Sequence, residues 1–228
     1  MPAMMTFLKP VTVTTALVAL TACSSSTSTT GAPTFGGVLS ASSSPSVAEL
    51  QPVLDTALEQ ETRVKGFAGS RFSAIPDDRT VNFKGYGGVL LDYDPAISED
   101  ILVLGDARVV VDFEAETFGG SVTNMVGLDG SDTSVGVLGT FTYTGGTLGG
   151  AQPNNFALDY DIDLTVGPNA VVMNGTMDGL FRGTRADPGD RNPIKAVDAT
   201  DDTPTITNAP GVNGASVNVI GESYFPTQ

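Results

Sequence analysis

Chemistry in this chain can start at few places. Cys23 is the only cysteine, so no thiol pair, thiolate cluster or second sulfur nucleophile can assist it. It stands after Leu20-Thr21-Ala22, behind Lys9 and the apolar run Val11–Leu20, and ahead of the polar run Ser24–Thr30. A charged start, a short apolar core and a small residue before the cut have the order of a secretion signal. A thiol at the first residue after such a cut is suited to acylation. The other candidates are carboxylates. Asp159, Asp161 and Asp163 alternate with Tyr160 and Ile162, while Asp129, Asp132, Asp198, Asp201 and Asp202 fall in turn-like stretches. A calcium loop of the EF-hand type also needs a central glycine and a distal Glu. The first trio lacks both and reads as the solvated face of a strand. The loop acids are explained by turn chemistry, in which Asp caps nearby backbone amides. No metal or cofactor site is assigned.

Residues 1–22 resemble a bacterial lipoprotein signal, and the resemblance implies lipidation (palmitate among the acyl groups) on Cys23. Several chains on one residue anchor far better than one, since each buried methylene contributes about 0.8 kcal/mol. The apolar core falls short of the roughly 20 residues that span a bilayer, which argues against a spanning helix. Ser24 behind the cysteine implies passage to the outer membrane, on either the cell surface or the periplasmic face.

The chain has 11 basic and 26 acidic residues, a net charge of −15, with no His and no Trp. Lys9 leaves with the signal, so a mature chain would be one unit more acidic. Such charge disfavours nucleic acid and anionic lipid head groups. Without His the usual general base and the commonest metal ligand are missing, so hydrolase and zinc-enzyme readings recede. Gly85-Tyr86-Gly87-Gly88 is not a phosphate loop, because no Lys and no helix follow it. It reads as a bulge in a strand.

The elements that would position any site follow from periodicity. Residues 23–45 are rich in Ser, Thr and Gly and read as a flexible tether. Ser46 and Glu49 have capping-box spacing, and Val47, Leu50, Leu54, Ala57 and Leu58 recur at helical spacing, so 46–65 is an amphipathic helix covering one end of a sheet domain. From residue 79 to 228 the period is two. Apolar and polar residues alternate through 81–93, 107–113, 122–126, 135–143, 158–164, 171–181 and 217–225. Turns are expected at Gly119-Gly120, Asp129-Gly130, Gly145-Gly146 and Gly167-Pro168, and a long loop over 185–214, within which 203–207 can pair as a short strand. Seven or eight strands predict a mainly β fold, an antiparallel eight-stranded barrel that leaves no open edge. Alternation alone does not say which face is inside, so a membrane-spanning barrel is weighed as well. The lipid anchor speaks against it.

Two stretches add a resemblance. Gly105–Phe113 followed by Phe118–Asn124, and Asn174-Gly175-Thr176-Met177-Asp178-Gly179-Leu180-Phe181-Arg182-Gly183, are similar to the barrel strands of transferrin-binding protein B and related surface lipoproteins. The resemblance covers one barrel, from Arg79 to Phe225, and implies fold and surface-lipoprotein style. The expected function is a non-enzymatic outer-membrane lipoprotein acting as a binding or accessory module. An iron carrier, haem, another small ligand or a protein is the candidate cargo. A structural envelope protein is the alternative, and a carbohydrate-active or hydrolytic enzyme a third.

Overall fold

The structure is a computed structural model, and it describes residues 47–70, 79–93, 99–131, 133–149, 154–183 and 194–224. Cys23, the signal, the tether, Ser46, Asp132 and Phe225 lie outside the described residues.

One helix, α1 (Val47–Gly66), precedes eleven strands: β1 (Ala68–Gly69), β2 (Thr80–Tyr93), β3 (Ile101–Asp112), β4 (Thr117–Asp129), β5 (Ser134–Val135), β6 (Val137–Leu148), β7 (Asn155–Val166), β8 (Asn169–Gly183), β9 (Ile194–Asp201), β10 (Thr205–Asn208) and β11 (Val212–Tyr224). Eight of them form a closed antiparallel barrel in the order β8-β7-β6-β4-β3-β2-β11-β9, and β9 returns to β8 to close the ring. The short strands β1, β5 and β10 add to β8, β4 and β8. The expected barrel and N-terminal helix are therefore present.

The segment 185–214, expected as one long loop, is not one. It supplies β9, which pairs with β8 through Asp178↔Thr200 to Gly183↔Ile194 and with β11 through Val217↔Asp201 to Glu222↔Ala196. It also supplies β10, near the short strand expected there. Two further expectations shift. Gly119 and Gly120 lie within β4, and the turn comes earlier, where Asp112 Oδ1 accepts from the Glu114 and Ala115 amides at 3.1 and 3.0 Å. Gly145 and Gly146 lie within β6, at a register shift against β7. The Gly85–Gly88 stretch is no bulge either. It pairs in unbroken register with Gly221–Asn218 on one side and Ala107–Leu104 on the other.

The alternation resolves inside from outside. One interior cluster draws buried apolar side chains from all eight barrel strands, among them Phe83, Val109, Val122, Phe141, Leu158, Met177, Val197 and Val219. Asp161, Asp163, Asp178, Lys84 and Arg108 are exposed on the outward parity. A membrane-spanning barrel needs the opposite arrangement, an apolar outer band around a polar interior. An eight-stranded ring is just wide enough for side chains to fill, and here aromatic rings do much of the filling. Phe181 stands among Phe83, Phe113, Phe118 and Phe156, with ring centroids 4.5–6.4 Å away. Phe156 lies so close over Gly179 that a Cβ there would sit 2.2 Å from its ring. Only glycine lets the ring approach the backbone of the neighbouring strand at that point.

Phe181 is 0% exposed, so Phe181→Ala leaves a cavity that its ring neighbours cannot all fill. The expected loss is about 3–5 kcal/mol, measured by urea unfolding. Gly179→Ala collides with Phe156, and the expected loss is about 1–3 kcal/mol.

Candidate functional site

The barrel interior divides by polarity. Its end near the β3–β4 turn holds most of the phenylalanines, while Phe141 lies at mid-barrel beside Tyr143 and Tyr160. Phe118 is the second residue of β4, Phe156 the second of β7, Phe113 follows β3, and Phe181 lies two residues from the end of β8. The interior hydroxyls belong to Tyr143 and Tyr160 at mid-barrel and to Tyr93 at the far end of β2. Tyr160 donates to Asp201 Oδ2 at 2.8 Å, across from β7 to the end of β9. Asp201 Oδ1 also accepts from the Thr203 amide at 2.9 Å. Tyr143 reaches across the interior to Gly87, where its hydroxyl would stand 2.9 Å from a Cβ, and finds no hydrogen-bond partner.

These phenols are held protonated. Burial pushes the Tyr143 hydroxyl well above the usual tyrosine range. Burial does the same to Tyr160, and the hydrogen bond to Asp201 and that carboxylate's charge add to it. Tyr86 is on the outer wall, yet burial, with Asp106 adding its charge, pushes it up to about 12. None of the three is suited to act as a base near neutral pH.

A second polar cluster ties α1 to the outer wall. Gln60 is buried in the inner stripe of the helix, and its Nε2 donates to the Lys84 carbonyl at 3.2 Å and to Glu222 Oε2 at 3.3 Å. The Arg63 guanidinium donates through Nε and Nη2 to the two oxygens of Glu222, both at 2.6 Å. That two-pronged bond, reinforced by the charges of Glu222 and Glu59, raises the Arg63 pKa against the opposing effect of burial. Apolar contacts flank the cluster. Leu50 packs with Tyr86, Val126 and Leu128, and Val64 with Ala196 and Ile220. The helix thus lies along the outer wall over β2, β3, β4, β9 and β11, rather than over one end as expected. Part of the signal for this was in the sequence. Tyr86, Leu104 and Ile220 are apolar residues at positions that alternation assigns to solvent, whereas Val126 and Leu128 share the inward parity of Phe118 and Val122 and are turned outward only by the register shift opposite Leu104 and Asp106.

The carboxylates singled out from the sequence do not converge. Asp159, Asp161 and Asp163 project from alternate residues of β7, and Asp159 Oδ1 accepts from Thr176 on β8 at 2.6 Å. Asp129 Oδ1 accepts from the Ser131 and Thr133 amides at 3.0 and 2.7 Å and shapes its turn. Asp198 pairs with Arg182 at 2.7 Å, and Arg182 also donates to the Phe67 carbonyl, which fixes the exit of α1. Asp202 lies exposed beside Asp201. Among the described residues no three acids, His or Cys come together as a metal site would require.

The architecture defines the class, a closed eight-stranded antiparallel barrel with a packed interior and an external helix. No protein-family model, curated protein or solved structure matches the chain.

Tyr143 and Tyr160 give the fold an alkaline limit. Their folded-state pKa values are raised above the unfolded value near 10. The stability this reflects is complete below about pH 10 and is lost as pH rises further. Alkaline titration should show tyrosinate absorbance of these residues appearing together with loss of near-ultraviolet circular dichroism. Tyr143→Phe removes an unpaired buried hydroxyl, so stability at pH 7 should hold or rise slightly and the alkaline midpoint should move upward.

Proposed function

We propose that this chain is an outer-membrane lipoprotein, anchored through acylated Cys23, that serves as a non-enzymatic binding or accessory module. One observation carries the reading: the barrel turns its apolar parity inward and its carboxylates outward. Among the described residues such a barrel shows no apolar belt with which to enter a bilayer. A chain with an acylation motif and a water-facing domain needs its lipid to stay at a membrane. The segment between Cys23 and α1, rich in Ser, Thr and Gly, would act as the spacer.

The packed interior bears on the choice of cargo. Phenylalanines fill one end and Met173, Met177, Ile162 and Leu164 are fully buried further along. A barrel that carries a small molecule inside keeps room for it, as large-cavity barrels do. A protein partner met on the outer wall or loops is therefore the better-supported cargo among those the sequence suggests. The likeness to transferrin-binding protein B and related surface lipoproteins supports a surface role. It rests on short glycine-containing motifs and on the barrel itself, and it names no partner. The enzyme reading draws no support from the scattered carboxylates.

Cys23→Ala is the direct test. The full-length variant should lose incorporation of labelled palmitate and move from the membrane fraction to the soluble one. Membrane retention of the variant through a carbonate wash would overturn the lipid-anchor reading. Protease shaving of intact cells then separates the two faces of the outer membrane, since only a surface-exposed barrel is cut.

A further inference from the structure

The outward positions of this barrel are mostly polar, with scattered apolar exceptions such as Val110, Val172, Leu180 and the exposed Leu138, and one contiguous apolar strip lies under the helix. Tyr86, Leu104, Val126, Leu128 and Ile220 point outward and are buried or half-buried beneath α1. This strip is separate from the interior. The interior cluster contains no residue of α1, and the ladders close the ring without the helix. Lifting α1 would take nothing from the barrel's own core.

The contact between helix and wall is also weakened at specific points. Pro52 lies inside α1, where it has no N–H to donate to the preceding turn. Gln60 sits in the buried stripe, and its Oε1 has no hydrogen-bond partner. A buried acceptor left unpaired lowers the free energy gained on docking. The Arg63–Glu222 pair is well formed but half exposed on the arginine side, so it holds the helix only modestly. A unit with few apolar contacts and a core of its own beside it is the kind that opens locally while the rest stays folded.

We propose that α1 is a releasable strap and that the strip beneath it is a docking surface for an amphipathic helix of a partner protein. A contiguous apolar strip on a mostly polar surface marks an interaction site, and a helix laid in an apolar groove is a recurring mode of recognition. The resident helix shows what the occupant must carry. Apolar side chains stand at Leu50, Leu54 and Ala57, an amide at Gln60, a guanidinium at Arg63 and an apolar residue at Val64. The partner helix thus has apolar groups at i, i+4, i+7 and i+14, an amide at i+10 that reaches the Lys84 carbonyl, and a cation at i+13 that meets Glu222. Charge complementarity favours it, because the chain it meets is acidic overall. This proposal stands independently of the lipid anchor.

Hydrogen exchange on the full chain tests the strap. The α1 amides should exchange as a group at least ~100-fold faster than those of β3 and β7. Equal rates would mean that helix and barrel open only together, and would overturn the proposal. Leu50→Asp should speed α1 exchange by at least ~10-fold while β3 and β7 keep their protection. Loss of barrel protection in this variant would show α1 to be integral to the fold and sink the idea. The docking surface is tested with a synthetic peptide of residues 47–66, fluorescently labelled and titrated into the full-length Leu50→Asp chain. Saturable binding is expected, weakened at least ~10-fold by adding Tyr86→Ala. Absence of binding, or binding insensitive to Tyr86, would refute the docking surface. Concentration-dependent dimerisation of the wild-type chain through exchanged α1 helices would assign the strip to a second copy instead of a partner protein.

Discussion

Everything else in this fold depends on the ring of backbone hydrogen bonds being closed, and β9 closes it. Its residues pair with β8 on one side and with β11 on the other. Without β9 the barrel would be an open sheet with two long edges and an exposed apolar face. With it, each barrel strand has a neighbour on both sides, and the apolar parity has nowhere to go but inward. The phenylalanine cluster around Phe181 can then form, because strands distant in sequence bring Phe83, Phe118 and Phe156 to it.

Closure also fixes what the outside can do. A ring whose interior is packed with aromatic and aliphatic side chains leaves the outer wall and the loops as its accessible surface. On that wall two kinds of surface coexist. One is polar, with Asp161 and Asp163 of β7 in solvent. The other is the apolar strip under α1, bordered by Gln60, Arg63 and Glu222. The polar lock sets the register of the helix, since Gln60 fits over Gly85, where any Cβ would lie 2.8 Å from its Oε1. The same lock limits how tightly the helix is held. Specific placement and modest affinity go together in this contact.

Particular residues show how far the sequence could be read. Seven strands were legible because each has one parity in the packed interior and the other in water. β9 was not, for two physical reasons. Its register shifts between the positions opposite Gly183 and Arg182, and Ala196, on the outward side, is buried under Val64 of α1. Burial on both faces blurs a period of two, and Lys195 and Asp198 beside prolines at 193 and 204 then resemble a loop. The glycine pairs at 119–120 and 145–146 misled for a related reason. In this barrel they let a strand bend and let Tyr143 and Phe118 come close, and composition alone cannot separate that role from a turn. Asp159, Asp161 and Asp163 were read well as strand face and Asp129 and Asp201 as turn caps, whereas Asp198, read as a loop acid, lies in β9 and pairs with Arg182. The Tyr160–Asp201 contact and the Glu222 lock were not visible, since both join residues at least 41 positions apart.

The sequence by itself determined the alternation, the amphipathic helix and the acidic balance, because each is written in the residues themselves. Only the tertiary structure decided which parity faces inward, where the ring closes, and that the helix lies along the wall. Those outcomes depend on contacts between strands far apart in the chain. No local pattern encodes such contacts until the backbone pairs are made.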